Sequence, residues 1–251
     1  MTFRVATLNL QQDLNQWEKR RELICQELGE LRPDLFALNE ICVPLQTGRW
    51  LQRSARERLG LTYALVQQTR ASASSEVDAE GLLTRFPVVE TANLDYRARD
   101  AVATVSRVEI EGRQVDIYVT HLYGSRGEDP LRHYQVQQLL EWIGARNDVS
   151  HQVVCGDFNA TMEVPSASRM AGAFRPSQTQ PTAFTPLREP GGQPSHPYWD
   201  RLDRCIDYVW VSRNLRVVDS SLCFDRPSAD NADLWPSDHV GVWADLEFAT
   251  D

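Results

Sequence analysis

The chain has 251 residues, 42% hydrophobic and 24% charged, with 26 basic against 35 acidic side chains and a formal net charge of −9. That length suits one large domain or two small ones, a single domain spanning 1–251 with a sizeable core being the expectation, and thirteen glycines and thirteen prolines argue against a collagen-like or low-complexity protein. No apolar run approaches the ~18 residues that cross a bilayer, which argues against membrane insertion, and VATLNL follows Met1 without the basic start and apolar block of a secretory signal, so the chain reads as cytoplasmic.

Residues 3–9 (FRVATLN) alternate as a strand does. Residues 16–31 place Trp17, Leu23, Ile24, Leu28 and Leu31 at helical spacing and stop before Pro33. The segment 34–40 (DLFALNE) reads as a short buried strand ending in a carboxylate, 48–59 as a second helix, and 62–67 and 80–84 as strands. Residues 102–122 predict two strands joined by a tight turn at Glu111–Gly112. Pro130 opens a helix over 130–146, with its apolar stripe on Val136, Leu139, Leu140 and Ile143. A strand at 151–158 follows. From Pro165 to about Tyr198 runs the longest irregular stretch, expected to carry substrate-specific loops. Strands at 206–211, 216–224 and 240–248 close the chain. Strands alternating with helices predict an α/β architecture with helices outside the sheets.

Composition removes several chemistries. Lys19 is the only lysine and Arg20 follows it, so no phosphate-cradling P-loop exists, and a lysine in a charged helical stretch is a poor Schiff-base former. No G-x-G, G-x-S-x-G or H-E-x-x-H is present. Cys25, Cys42, Cys155, Cys205 and Cys223 are odd in number, far apart and without a C-x-x-C, which suggests reduced buried thiols rather than a disulfide framework or thiolate zinc site. Asp, Glu, Asn and a few His remain, the hard-oxygen ligands and acid/base groups of magnesium or manganese chemistry.

Several of these stand at the ends of apolar strands: Asn9, Glu40, His121, Asp157 with Asn159, Asp207, and Asp238–His239 before VGVWADL. Strand ends converging on one rim are where α/β proteins build active sites. The ordered set VATLNL, DLFALNE, EGLLTRFPVV, YVTHL, VVCGDFNA, RCIDYVWVS and SDHVGV resembles the endonuclease/exonuclease/phosphatase superfamily of metal-dependent phosphoesterases, from Val5 to about Asp245. The resemblance implies a DNase I-like four-layer αββα sandwich with two central mixed β-sheets and the site at one rim.

It also implies roles. Glu40 matches the family's principal metal-binding glutamate, suited to Mg²⁺ (or Mn²⁺), and Asn9 and Asp238 match residues lining the same metal position. Asn39 stands where the family usually has Gln. Asp157 matches the aspartate that orients or deprotonates the attacking water. Asn159, two residues on and read as sharing its strand face, would hydrogen-bond the scissile phosphate. His239 matches a phosphate-contacting histidine whose carboxylate partner is Asp207, and His121 a second one partnered by Glu80. Arg132 and Gln135 resemble an R-x-x-Q pattern bracing the site loops from below. His133, His151 and His196 read as structural or solvated, and Asp200 as a decoy beside Asp207.

The substrate stays open. A net charge of −9 disfavours long duplex DNA, since phosphate contacts supply most nonspecific affinity. The leading reading is a monomeric phosphodiesterase or phosphatase acting on a small phosphodiester, a phosphorylated metabolite or a lipid headgroup. A DNase-like endonuclease comes second, its rim candidates being Arg70, Arg126 and Arg204, and a catalytically inactive binding module is the alternative of another class.

Overall fold

The computed structural model describes residues 1–69, 78–99, 101–125, 127–196 and 201–249. Strand β1 (Phe3–Asn9), helix α1 (Trp17–Leu31) and strand β2 (Leu35–Cys42) form a first β-α-β unit, followed by α2 (Thr47–Leu59), β3 (Ala64–Thr69) and β4 (Asp78–Thr84). Strands β5 (Val88–Asp95) and β6 (Val102–Ile110) lead into a second unit of β7 (Arg113–His121), α3 (Pro130–Ala145) and β8 (Gln152–Asp157). The chain ends with α4 (Pro165–Ser168), a 3₁₀ turn (Arg169–Gly172), β9 (Phe174–Pro176), β10 (Asp207–Ser212), β11 (Leu215–Cys223) and β12 (Gly241–Phe248).

The strands make two six-stranded sheets, ordered β11-β12-β1-β2-β4-β3 and β5-β6-β7-β8-β10-β9. In each, one central pair is parallel, β1 with β2 and β7 with β8, and the others are antiparallel. A parallel pair needs a long crossover, which α1 and α3 supply. The sheets face each other across Phe3, Val5, Leu35 and Ala37 on one side and Ile117, Val119, Val153 and Val209 on the other. Trp17, Ile24, Leu28, Leu51 and Ala55 cover the first sheet's outer face, and Val136, Leu139 and Ile143 cover the second's. The result is the four-layer αββα sandwich that the resemblance implied.

Local chemistry explains the boundaries. At the β6–β7 hairpin Glu111 and Gly112 both take positive φ, 51° and 74°, the conformation a two-residue hairpin turn needs. At α3, Pro130 occupies the first turn and the Asp129 carboxylate accepts the Leu131 N–H at 2.8 Å. Other expectations shift. β2 does not stop at Glu40 but bulges between Leu38 and Ile41, Glu40 taking φ 52°, and then continues to Cys42. The strands expected at 62–67 and 80–84 run Ala64–Thr69 and Asp78–Thr84. β5 was not anticipated, because as an edge strand most of its side chains face solvent or lie half-buried. The stretch from Pro165 holds α4, the 3₁₀ turn and β9 before it becomes irregular.

Topology then fixes one rim. The parallel strands β1, β2, β7 and β8 deliver their C-terminal ends there, and antiparallel β4, β10 and β12 deliver their N-terminal ends.

Candidate active site

The rim is built rung by rung. In the second sheet, Asp157 pairs with His121 on one side and with Asp207 on the other, so a histidine and two aspartates stand abreast. In the first sheet, Asn9 pairs with Asn39, and the bulge beside it turns out Glu40. Gly156 permits this geometry. Its φ of +130° is closed to most side chains, and a Cβ there would fall 2.0 Å from the Thr120 carbonyl oxygen.

Amides stitch the sheets together. Asn9 Nδ2 donates to Glu40 Oε1 at 3.0 Å and to Asp157 Oδ2 at 3.2 Å, while its Oδ1 accepts the Gln11 N–H at 2.9 Å. Asn39 Nδ2 donates to Glu80 Oε2 at 2.5 Å and to Thr120 O at 2.9 Å, and its Oδ1 accepts the Asp157 N–H at 3.0 Å. The residue that departs from the family's usual Gln thus joins β2, β4, β7 and β8.

Around Asp157 the charges crowd. His239 Nδ1 lies 2.9 Å from Asp207 Oδ2, and its Nε2 lies 3.8 Å from Asp157 Oδ2. His121 Nε2 is 3.5 Å from the same Asp157 oxygen and 3.0 Å from Asn159 Nδ2, and its Nδ1 is 3.8 Å from Glu80 Oε1. Asn159 lies beyond the end of β8 with φ 50°, so strand alternation does not bring it to Asp157. A turn does so instead, its N–H donating to Asp157 Oδ1 at 2.7 Å.

Burial sets the proton affinities. It pushes the Glu40 carboxyl up to about 7, helped by the negative charge of Asp238. It pushes Asp157 up to about 8, helped by Asp207. Burial works against a charged His239, yet Asp207, Asp157 and Asp238 outweigh it and hold the imidazolium well above its ordinary range. Two groups of His and carboxylate donors lie within 4.8 Å among the described residues, Asp78–Glu80–His121 and Asp157–Asp207–His239.

The donor set also fits a hard divalent cation at Glu40. Its carboxylate and that of Asp238 repel one another, and its side chain is still 21% exposed, leaving room for the waters Mg²⁺ retains. Asn9, as oriented, turns its N–H groups to the carboxylates and braces them.

Arg132 donates to the carbonyls of Tyr123, Ser125 and Gly127, and Gln135 Oε1 accepts the Tyr123 N–H at 2.8 Å, holding the loop after His121 from below. His133 pairs with Glu128, and His151 packs edge-on against Phe248. His196, read as structural or solvated, stacks on Phe184 at 4.4 Å and lines the cleft, while Phe184 meets His239 edge-on at 5.1 Å. The cleft holds about 320 Å³, with Arg99 and Tyr123 on its wall. It opens beside Gly124 and Asn159 into a cavity of about 630 Å³ bounded by Val164, Arg204 and Ile206. Arg70, Arg126 and Asp200 lie outside the described residues.

Sequence reasoning also passed over Thr182. Its Oγ1 accepts the N–H groups of Ile206 and Asp207 at 3.0 and 3.1 Å, and its carbonyl accepts that of Val240 at 2.6 Å. Thr182 therefore ties the start of β10 to Val240, while Phe184 and His196 of the same stretch line the cleft, and no sequence pattern marks Thr182.

The sequence profile of the Endonuclease/Exonuclease/phosphatase family matches residues 6–239. The chain belongs to that family. Phosphoester hydrolysis with divalent-metal dependence is general among the members of that family. Rat (Rattus norvegicus) Nocturnin is 26% identical over an alignment covering 92% of this chain, and human (Homo sapiens) Nocturnin is 26% identical as well. The chain spans 59% of the length of the rat protein. Among solved structures, the human Nocturnin catalytic domain with bound sulfate superposes with a TM-score of 0.75 at 25% identity, covering 99% of this chain and 94% of that one. D. rerio TDP2 complexed with a single-strand DNA product gives 0.79 at 15% identity, covering 98% and 99%, which shows the shared family fold. No helix among the described residues is long and apolar enough to cross a membrane.

Proposed function

We propose that the protein is a Mg²⁺- or Mn²⁺-dependent hydrolase of a small phosphoester, with Glu40 and Asp238 holding the cation beside Asn9. The observation that carries this reading is the single rung His121–Asp157–Asp207, with His239 2.9 Å from Asp207 and Asn9 tying Glu40 to Asp157. When bound, the cation supplies charge neutralisation at the phosphoryl oxygens.

Asp157 orients the attacking water and accepts its proton as the water oxygen bonds to phosphorus and the ester P–O bond breaks, the leaving oxygen departing as alkoxide that is protonated from solvent. A carboxyl lifted toward neutrality by burial is a stronger base than a solvated one. Asn159 and His121, hydrogen-bonded to each other at 3.0 Å, stand on one side of the phosphoryl position; the Asn159 amide, which also donates to Leu122 O at 3.0 Å, exchanges one of these bonds when it donates to the phosphoryl group. His239, kept charged by Asp207, faces the negative charge that develops on the phosphorane oxygens. Asp207 fixes His239 through a 2.9 Å hydrogen bond, and Glu80, 3.8 Å from His121 Nδ1, is the looser charge partner of His121. A site completed by one chain's own residues supports action as a monomer.

The net charge of −9 supports a small substrate over long duplex DNA. The test is turnover of p-nitrophenyl phosphate, bis-p-nitrophenyl phosphate, plasmid DNA, RNA, sphingomyelin and phosphoinositides with Mg²⁺ or Mn²⁺. Cation-dependent turnover of small esters is expected. Processive cleavage of plasmid without it would favour the endonuclease, and no turnover of any would favour the binding module.

A further inference from the structure

Arg20 on α1 is fully buried. Among the described residues its guanidinium hydrogen-bonds no carboxylate and fans out to main-chain carbonyls instead. Nη1 donates to Leu10 O and Pro236 O, both at 2.9 Å, Nη2 to Leu14 O at 2.7 Å and Gln11 O at 3.3 Å, and Nε to Leu14 O at 3.1 Å and Asn15 O at 2.9 Å. Burying a guanidinium is costly, and a helix-to-loop brace alone could be made with neutral donors.

What the fan gathers gives it meaning. The loop between β1 and α1 holds four non-glycine residues at positive φ, Gln11, Gln12, Asn15 and Gln16, a conformation that Asn tolerates but that is uncommon for the three glutamines. That loop begins directly after Asn9, and it is bonded to the bulge that carries Glu40 through Leu10 N–H to Asn39 O at 3.0 Å and Gln12 N–H to Glu40 O at 3.1 Å. Pro236 precedes the Ser237–Asp238–His239 segment, and Ser237 Oγ donates to Asn9 O at 2.7 Å. One side chain thus ties the loop after Asn9 to the segment before Asp238, and through the Leu10 and Gln12 amides of that loop it bears on the bulge carrying Glu40; its charge acts through space on Asp238 and Glu40.

We propose that Arg20 is a positioning residue that preassembles the cation site, setting its affinity without touching the cation or the substrate. This rests on the reading of Glu40 and Asp238 as the cation's ligands. Lysine keeps the charge but offers three donors from one point, which cannot span carbonyls on two sides of a planar fork.

The test uses the full chain and Mn²⁺ binding measured by electron paramagnetic resonance of the free ion, alongside thermal melts. Arg20→Lys and Arg20→Gln are expected to raise the Mn²⁺ Kd by about tenfold or more, as loss of an outer partner of a metal ligand does. KM for the ester at saturating cation should stay near the wild-type value. A lowered melting temperature with unchanged Kd in either folded variant would make Arg20 merely structural and overturn the proposal. Hydrogen exchange in the cation-free wild type tests it without any variant. The amides of Leu10, Gln11 and Gln12 should already be protected, and protection that arises only on adding Mn²⁺ would mean that the cation arranges the loop. Wild-type protein that binds no Mn²⁺ at all would overturn the ligand reading, and this proposal with it.

Discussion

Asp157 accepts two hydrogen bonds, from Asn9 Nδ2 and the Asn159 N–H, and lies between two histidines. Asp157→Asn keeps the shape and removes the base, so kcat should fall by at least ~10²-fold with the melting temperature held or raised. Retained turnover in a folded variant would contradict the role. Proton linkage gives a second expectation. The Glu40 carboxyl, pushed up to about 7 in the cation-free fold against an ordinary 4.5, binds its proton more tightly folded than unfolded. Its contribution to stability is therefore full below about pH 4.5 and is lost as pH rises through about 7. A cation replaces that proton. Mg²⁺ should raise the melting temperature clearly at pH 8 and little at pH 5, and equal shifts at both would place the cation elsewhere. Glu40, Asp157, Asp207 and His239 were legible because the motifs fall in a family order. Arg20 and Thr182 were not, because they act on main-chain groups, where side-chain identity carries no periodic signal; Asn39 stood out as a departure from the family's usual Gln, but its bonds to β4, β7 and β8 were not readable from it.

Among the elements, those with a strong local pattern were read closely. The α1 stripe, the Glu111–Gly112 hairpin and the Pro130 helix start each rest on residues within one or two turns of one another. The β2 bulge and β5 escaped notice, since a bulge depends on its partner strand and an edge strand buries too little to show alternation. The β8 strand makes a sharp prediction. At Gly156 a Cβ would lie 2.0 Å from Thr120 O, on backbone at φ +130°. Gly156→Ala should destabilise the fold by more than about 2 kcal/mol in urea melts and displace Asp157. A wild-type midpoint would mean that β7 and β8 are not held as described.

At the scale of the molecule, two β-α-β units bring the C-terminal ends of their parallel strands to one rim, which is where open α/β sheets bind ligands. Sequence periodicity indicated helices outside sheets, but it could not pair β8 with β10 or order the two sheets, since those contacts are distant along the chain. The net charge of −9 also acts at this scale. A nuclease holding four or more phosphates would show a log K against log salt slope near −4 or steeper, from about −0.9 per contact. The Asp157→Asn protein should instead show no measurable duplex binding at moderate salt. The most direct test of the whole account is hydrolysis of bis-p-nitrophenyl phosphate by EDTA-stripped wild type and Glu40→Gln protein across a Mg²⁺ titration. Wild type should be silent in EDTA and recover on adding Mg²⁺, with the variant slower by orders of magnitude and needing far more cation. Full turnover in excess EDTA, or a wild-type Mg²⁺ response from Glu40→Gln, would contradict it.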